Sequence, residues 1–236
     1  LALAAPVFSQ NPRPSLQLDN TAGDASVGVP LLASTGDRSA AVFVDESGLW
    51  ISHSDGRGLD WSAPVSIEPN PGGLFLHPLD PAIVGDDVYV GYISNVLGDK
   101  EVFLRVVNAA TGTVGDAVRV DNGYAPGVSD VQTARMDVAD DDGTVRVHFV
   151  ILTYVPPTLS LDELRVTSSD DGGATFFPTT KLTPGLAAGF DFDLAARGSE
   201  LHIAWSDNRF FSIAREAFYT RSTDGGASFL PSEIQL

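Results

Sequence analysis

The sequence contains two near-copies of one octapeptide, Ser169-Asp170-Asp171-Gly172-Gly173-Ala174-Thr175-Phe176 and Ser222-Thr223-Asp224-Gly225-Gly226-Ala227-Ser228-Phe229. Both fit the pattern S-x-D-x-G-x-[ST]-F, and each follows a strand-like run, residues 163–167 and 217–221. The serine and aspartate of such a pattern can hydrogen-bond backbone N–H groups two or three residues on, and its glycines permit positive φ. The chain therefore contains a repeated β-unit with a tight turn.

The octapeptide resembles the Asp box of the sialidase-like, or BNR-repeat, β-propellers. In that family the boxes are structural and lie away from the active site, which implies a structural role here. The residues concerned are Ser169, Asp171, Gly173 and Phe176 in the first copy and Ser222, Asp224, Gly226 and Phe229 in the second.

Weaker copies of the octapeptide precede these two. Residues 52–61 keep the serine, aspartate and glycine, but the step from Asp55 to the aromatic Trp61 is 61 − 55 = 6, against 176 − 171 = 5. Residues 108–112 keep little beyond Gly112. The repeat is therefore present four times but has decayed.

Each repeat is accompanied by four strand-like segments, and the alternation of Leu201, Ile203 and Trp205 is typical of a half-buried strand. The predicted strands are 29–34, 39–44, 48–52 and 64–67; 81–84, 87–93, 101–107 and 117–120; 133–138, 144–154, 163–167 and 179–182; 191–196, 200–206, 217–221 and 232–236. Four strands in four repeats predict an all-β propeller with four-stranded antiparallel blades. Family members usually have six blades, and residues 15–19 resemble residues 232–236, which leaves room for a partial blade or an edge strand.

Composition and the N-terminus indicate an exported single domain. The 236 residues are 43% apolar, enough for one core, and we assign residues 15–236 to it. Residues 1–14 begin Leu1-Ala2-Leu3-Ala4-Ala5, typical of a signal-peptide remnant, with an apolar arm as the alternative. The segment is too short to span a bilayer. We expect a periplasmic, cell-surface or extracellular location.

Charge and residue usage exclude several partners and cofactors. A net charge of −17 argues against nucleic acid and anionic membranes, because the field of the molecule repels polyanions. The absence of cysteine excludes disulfides and thiolate metal sites. The four histidines lack ligand spacing. No cofactor is predicted, although calcium stays open as one reason for the acidity; Asp140-Asp141-Asp142-Gly143 is better interpreted as a turn.

The resemblance also implies which face binds ligands. In such propellers the loops from the fourth strand to the next blade, and from the second strand to the third, form the face opposite the boxes. Aromatic and arginine side chains that could anchor a partner or stack on a sugar lie on or beside these loops. The candidate binding residues are Phe75, His77, Tyr124, Arg209, Phe210, Phe211 and Arg215.

A sialidase site has weak support. The family's chemistry uses three arginines, a tyrosine paired with a glutamate, and an aspartate. Its first arginine lies in an F/Y-R-I-P motif, which Asn11-Pro12-Arg13-Pro14 matches only in part. Tyr219 and Glu216 have the right types without a motif, and Arg221 is predicted to lie on the opposite face from Arg209 and Arg215.

Three functions follow in order of preference. The first is a non-catalytic extracytoplasmic propeller that binds protein, or is a structural subunit, within a surface or envelope assembly. The second is a carbohydrate-binding module, and the third is a sialidase-like glycoside hydrolase. A protein partner is expected first and a glycan second, with no nucleic acid and no transmembrane span in the chain.

Overall fold

A computed structural model describes residues 29–70, 74–122, 130–154, 162–183, 191–209 and 215–236. Their secondary structure is entirely β, in antiparallel sheets numbered here as blades I to IV. Residues 1–14 and 15–19, Tyr124, Phe210 and Phe211 lie outside the described residues. No helix in the described part of the chain is long and apolar enough to cross a membrane.

Blades I, III and IV each contain four strands in sequence order. Blade I comprises β1 (Leu31–Thr35), β2 (Arg38–Asp45), β3 (Gly48–Ser54) and β4 (Val65–Pro69). Blade III comprises β11 (Asp130–Asp141), β12 (Thr144–Tyr154), β13 (Asp162–Ser169) and β14 (Thr180–Lys181). Blade IV comprises β15 (Asp191–Arg197), β16 (Glu200–Asp207), β17 (Glu216–Ser222) and β18 (Ile234–Gln235). The strands lie close to their predicted positions.

Blade II is more fragmented than the sequence predicts. Its strands are β5 (Leu76–Pro78), β6 (Ala82–Val84), β7 (Asp87–Ser94), β8 (Glu101–Asn108), β9 (Thr113–Val114) and β10 (Val118–Arg119). Both β5 and β6 pair with β7, and both β9 and β10 pair with β8. The inner strand is interrupted at Leu79–Pro81, where Pro81 has no N–H to donate to the ladder.

Each blade packs one face against the next, and three apolar clusters fill the junctions. Val42 and Ile51 of blade I meet Val90 and Phe103 of blade II. The II/III junction contains Leu104 and Phe149, and the III/IV junction contains Leu164, Ile203 and Phe218. Full burial of one such side chain stabilises the fold by about 1.5–3 kcal/mol.

The innermost strands follow one another around a common axis. β1 contacts β6, β6 contacts β11, and β11 contacts β15. Face-to-face packing of successive four-stranded sheets about an axis is the arrangement of a propeller. The predicted fold class, an all-β propeller with four antiparallel blades, is confirmed for the described residues.

The two octapeptides adopt the same hydrogen-bonded turn. Ser169 Oγ donates to Asp171 Oδ1 at 2.7 Å and accepts the N–H of Gly173 at 2.8 Å. Asp171 accepts the N–H of Thr175 at 2.9 Å and its hydroxyl at 2.6 Å. Ser222, Asp224, Gly226 and Ser228 repeat these bonds. The Ser222 and Ser228 hydroxyls lower the pKa of Asp224 to about 2. Phe176 packs edge-on against Phe149, and Phe229 packs on the III/IV cluster.

Candidate functional site

Antiparallel pairing gives the propeller two distinct faces. The second strand of each blade ends, and the third begins, on one face; β7 ends beside the start of β8, where Ser94 pairs with Glu101. We call this the loop face. The octapeptide turns follow the third strands and therefore lie on the opposite face, which we call the box face. Four of the predicted binding residues lie in the described part of the loop face or beside it.

A pocket of about 430 Å³ lies on the axis near the loop face. Its walls come from β1 and β2 of blade I, the inner strand of blade II and β11 of blade III. It lies toward the loop face, because β5 pairs with the loop-face end of β7. Leu31, Val44, Leu76 and Leu79 make the walls apolar, and His77, Asp80 and Arg135 add polar groups. We call this the axial pocket. Its size is that of a small-ligand site.

An aromatic and a cationic side chain lie beside His77 of the axial pocket. Phe75 is 42% exposed and stacks on His77 with 6.3 Å between ring centroids. Lys100 Nζ lies 5.1 Å from the centroid of the Phe75 ring, within cation–π range. The structure thus brings together Phe75 and His77, both predicted from the sequence.

Arg135 was missed by the sequence prediction. It donates to the carbonyl of Ala134 at 3.1 Å, and its guanidinium lies 5.9 Å from the Phe192 ring of blade IV. None of the ion pairs among the described residues involves Arg135. The sequence signal for Arg135 was its position between Ala134 and Met136 in an inner strand. That pattern does not reveal that residues of three blades meet at the axial pocket.

Arg209 is held in a compact polar network. Its Nε donates to both carboxylate oxygens of Asp207 at 2.9 Å, and Nη1 pairs with Glu233. The guanidinium carbon lies 4.2 Å from the centroid of the Phe218 ring. Burial opposes ionisation of Asp207, but Arg209 holds the pKa of that carboxyl below its usual range. The Arg209 side chain is only 10% exposed, and its contacts link the second and third strands of blade IV to Glu233, which directly precedes the fourth strand.

Arg215 and Arg221, the other arginines considered for a sialidase site, do not take part in the Arg209 network. Arg215 pairs with Asp191 at 2.6 Å on the exposed surface, where ion pairs contribute little. Arg221 lies at the box-face end of β17, paired across the sheet with His202. Among the described residues these three arginines therefore form no cluster.

Tyr219 and Glu216, which the sequence suggested as a tyrosine–glutamate pair, lie on opposite faces of the sheet of blade IV. The two residues are three positions apart in β17, so their side chains point to opposite faces of the sheet. Tyr219 Oη lies 2.7 Å from His202 Nδ1. A tyrosine does contact a glutamate elsewhere: Tyr92 donates to Glu68 at 3.0 Å, beside Arg105. Burial raises the pKa of Tyr92, so its phenol is not an activated nucleophile.

A buried charge cluster on the loop face of blade II also escaped prediction. Arg119 lies 3.1 Å from Glu101 and 3.5 Å from Asp121, whose side chains are 1% and 7% exposed. Asp121 accepts the N–H of Val102 at 3.1 Å. Burial raises the pKa of Asp121 to about 7, although Arg119 opposes this. Glu101 lies 119 − 101 = 18 positions before Arg119 and 121 − 101 = 20 before Asp121, and the pairing of β8 with β10 brings it to them.

Metal binding has no geometric support in the part of the chain that is described. No group of three or more His, Asp or Glu side chains there is arranged around one point. Asp140 accepts the N–H of Gly143 at 2.8 Å, as in a turn, and Asp141 pairs with Arg146 at 3.2 Å. His148 is fully buried against Ser168.

Comparison with known proteins identifies the fold only. A scan against protein-family models gives no match, and a search of curated proteins gives none either. Solved structures do match. The chain shares its β-propeller fold with these solved structures. Trypanosoma rangeli sialidase in complex with the inhibitor DANA has a TM-score of 0.53 at 12% identity, over 87% of this chain and 38% of that chain.

Two further solved structures share the fold. The polysaccharide lyase Uly1 has a TM-score of 0.52 at 11% identity, over 87% of this chain and 59% of the lyase. An endo-arabinase from Bacteroides thetaiotaomicron has a TM-score of 0.50 at 12% identity, over 88% and 78%. The chain spans less than two thirds of the sialidase and the lyase. Such identities carry no information on activity.

Proposed function

We propose that this protein is a non-catalytic, exported propeller that binds a protein partner through its loop face, as a subunit of a surface or envelope assembly. One observation carries the proposal. Four connections between strand ends of this face, residues 120–129, 155–161, 182–190 and 208–215, contain only three charged side chains, those of Asp121, Arg209 and Arg215, in a chain of net charge −17. They include Tyr124, Phe190, Phe210 and Phe211. Depletion of charge with enrichment of aromatics is typical of an interface core.

The native mass tests this proposal. We expect the protein, extracted gently from its source, to elute in light-scattering chromatography as a complex well above 24.9 kDa. Phe210→Ala and Phe211→Ala should reduce that mass. Phe177→Ala is the matched control, since Phe177 is a 39% exposed phenylalanine that follows the box turn. A native monomer, or equal effects of all three changes, would contradict the proposal.

The axial pocket favours a second candidate, binding of a saccharide. Apolar walls with three polar groups, and Phe75 stacked on the lining residue His77, suit a sugar. Among the described lining residues Asp80 is the single carboxylate and there is no tyrosine, whereas glycoside hydrolysis ordinarily needs two carboxylates and sialidases use a tyrosine nucleophile. We therefore propose binding rather than a sialidase-like hydrolysis for this pocket.

A glycan array followed by calorimetry tests the second candidate. Arg135→Gln should abolish binding, whereas Arg197→Gln, an exposed arginine at the other end of an inner strand, should leave it unchanged. Turnover of any glycoside in a substrate panel would instead support the hydrolase.

A further inference from the structure

The outer ends of the three blade junctions differ, because among the described residues two are bridged by polar side chains and the third is not bridged in this way. At the I/II junction, Glu68 of blade I accepts from Tyr92 at 3.0 Å and from Arg105 at 2.9 Å. At the II/III junction, the Asn122 amide donates to the carbonyl of Phe176 at 3.0 Å and accepts the N–H of Thr179 at 3.2 Å. Polar side chains therefore cross both junctions and seal them.

The III/IV junction contains a cleft of about 510 Å³ instead. One wall is formed by Thr180–Thr183 of blade III and the other by residues 227–233 of blade IV. Trp205 and Thr220, 3% and 4% exposed, form the floor. Leu182 and Phe229 pack on the same apolar cluster. An apolar side chain entering this cleft would therefore contact the core of the junction directly.

The wall from blade III is an open sheet edge. Leu182 donates its N–H to Leu164 across the sheet at 2.8 Å, and Lys181 is paired with Arg165. Alternation along an antiparallel strand then points the N–H and C=O of Lys181 away from β13. Such backbone groups can pair with an extended peptide.

We propose that the III/IV cleft binds an extended peptide segment of a protein partner. The peptide pairs with the open edge of β14 at Lys181 and inserts one apolar side chain between Leu182 and Leu230, above Trp205. The net charge of −17 favours a neutral or basic peptide. A saccharide fits less well, because the Trp205 ring is nearly covered and offers no open face for stacking. The anchor contacts are made by Leu182, Leu230 and Trp205, none of which is a loop-face candidate, so the proposal does not depend on the loop face.

Selection from a phage-displayed library of random peptides about ten residues long tests the cleft. We expect enriched sequences with one apolar anchor, and a synthetic peptide from the selection should bind the intact chain in fluorescence polarisation. Leu230→Asp should weaken binding by about tenfold or more, because it places a charge against the anchor. Lys181→Pro should do the same by removing the backbone donor, whereas Lys181→Ala, which keeps that donor, should have a small effect.

The control variants separate this proposal from the loop-face proposal. Phe210→Ala and Phe211→Ala should leave peptide binding unchanged, and Leu230→Asp should keep the thermal unfolding midpoint within a few degrees. Three results would overturn the cleft proposal: no enrichment, peptide affinity that neither Leu230→Asp nor Lys181→Pro reduces, or glycan binding that Leu230→Asp abolishes when no peptide is selected.

Discussion

Gly226, in the octapeptide turn of blade IV, lies directly against Ser168 on β13 of blade III. A Cβ atom at position 226 would overlap Ser168 Oγ, which itself lies 2.8 Å from His148 Nδ1. Gly173 has the same relation to Leu104 of blade II. Both glycines have φ near +90°, where side chains are strained. The repeated glycine is therefore a contact between blades as well as a turn residue.

Replacing Gly226 should show both effects. We expect Gly226→Ala to lower the free energy of unfolding by about 3 kcal/mol, roughly one from the positive φ and the rest from the overlap with Ser168. Gly112→Ala is the matched control, because Gly112 has φ +70° but nothing within 4 Å of its added Cβ. Urea denaturation measures both losses, and equal values would show that the contact between blades contributes nothing.

Asp121 should make stability depend on pH. Its pKa is about 7 in the folded chain, because of burial, and near 3.9 when unfolded. Above about pH 4 the unfolded chain loses this proton while the folded chain keeps it, so its contribution falls by about 1.4 kcal/mol per pH unit up to about pH 7. Asp121→Asn should remove that fall. Urea melts across pH 4–8 measure it as the difference in unfolding free energy between the variant and the natural chain. A pH-independent difference would contradict this assignment.

His148 should act in the opposite direction. Burial, with Arg146 adding to it, lowers the pKa of His148 to about 4, against about 6.5 unfolded. Below pH 6.5 the unfolded chain therefore binds a proton that the folded chain does not, and stability falls as the pH falls toward 4. His148→Asn, which keeps a polar atom near Ser168, should flatten this loss. Parallel pH profiles for the variant and the natural chain would count against it.

The strands were predictable because their signals are local. Alternation such as Leu201, Ile203 and Trp205 follows from one buried face, and the glycines and aspartates of the turns separate one strand from the next. β5 and β9 show no period because they have three and two residues. They were missed, unlike the equally short β14 and β18, because the other blades have no fifth or sixth strand from which to infer them. Pro78 and Pro81 further obscured the inner strand of blade II.

The sites were less predictable because they depend on packing between blades. Phe75 and His77 were recognised as loop aromatics, but Arg135 joins them only because three inner strands converge on the axis. Arg209 was predicted to bind a partner, and that stays a prediction; the sequence did not show that Asp207 and Glu233 pair with its side chain. Charge pairing between residues distant in sequence has no signature in a single strand.

The ion pair between Glu68 and Arg105 gives the last prediction. The side chains are 14% and 21% exposed, and Tyr92 donates to the same carboxylate oxygen. Arg105→Met should cost about 3 kcal/mol of unfolding free energy, because it leaves the largely buried Glu68 charge without a cationic partner.

A double-mutant cycle tests the origin of that cost. Glu68→Gln with Arg105→Met should lose clearly less than Arg105→Met alone, since the uncompensated carboxylate is gone. Tyr92→Phe serves as the control for loss of the hydroxyl alone and should cost about 1 kcal/mol. Additive losses in the cycle would mean that Arg105 stabilises the I/II junction through the packing of its aliphatic stem, because a charge partner must couple to Glu68.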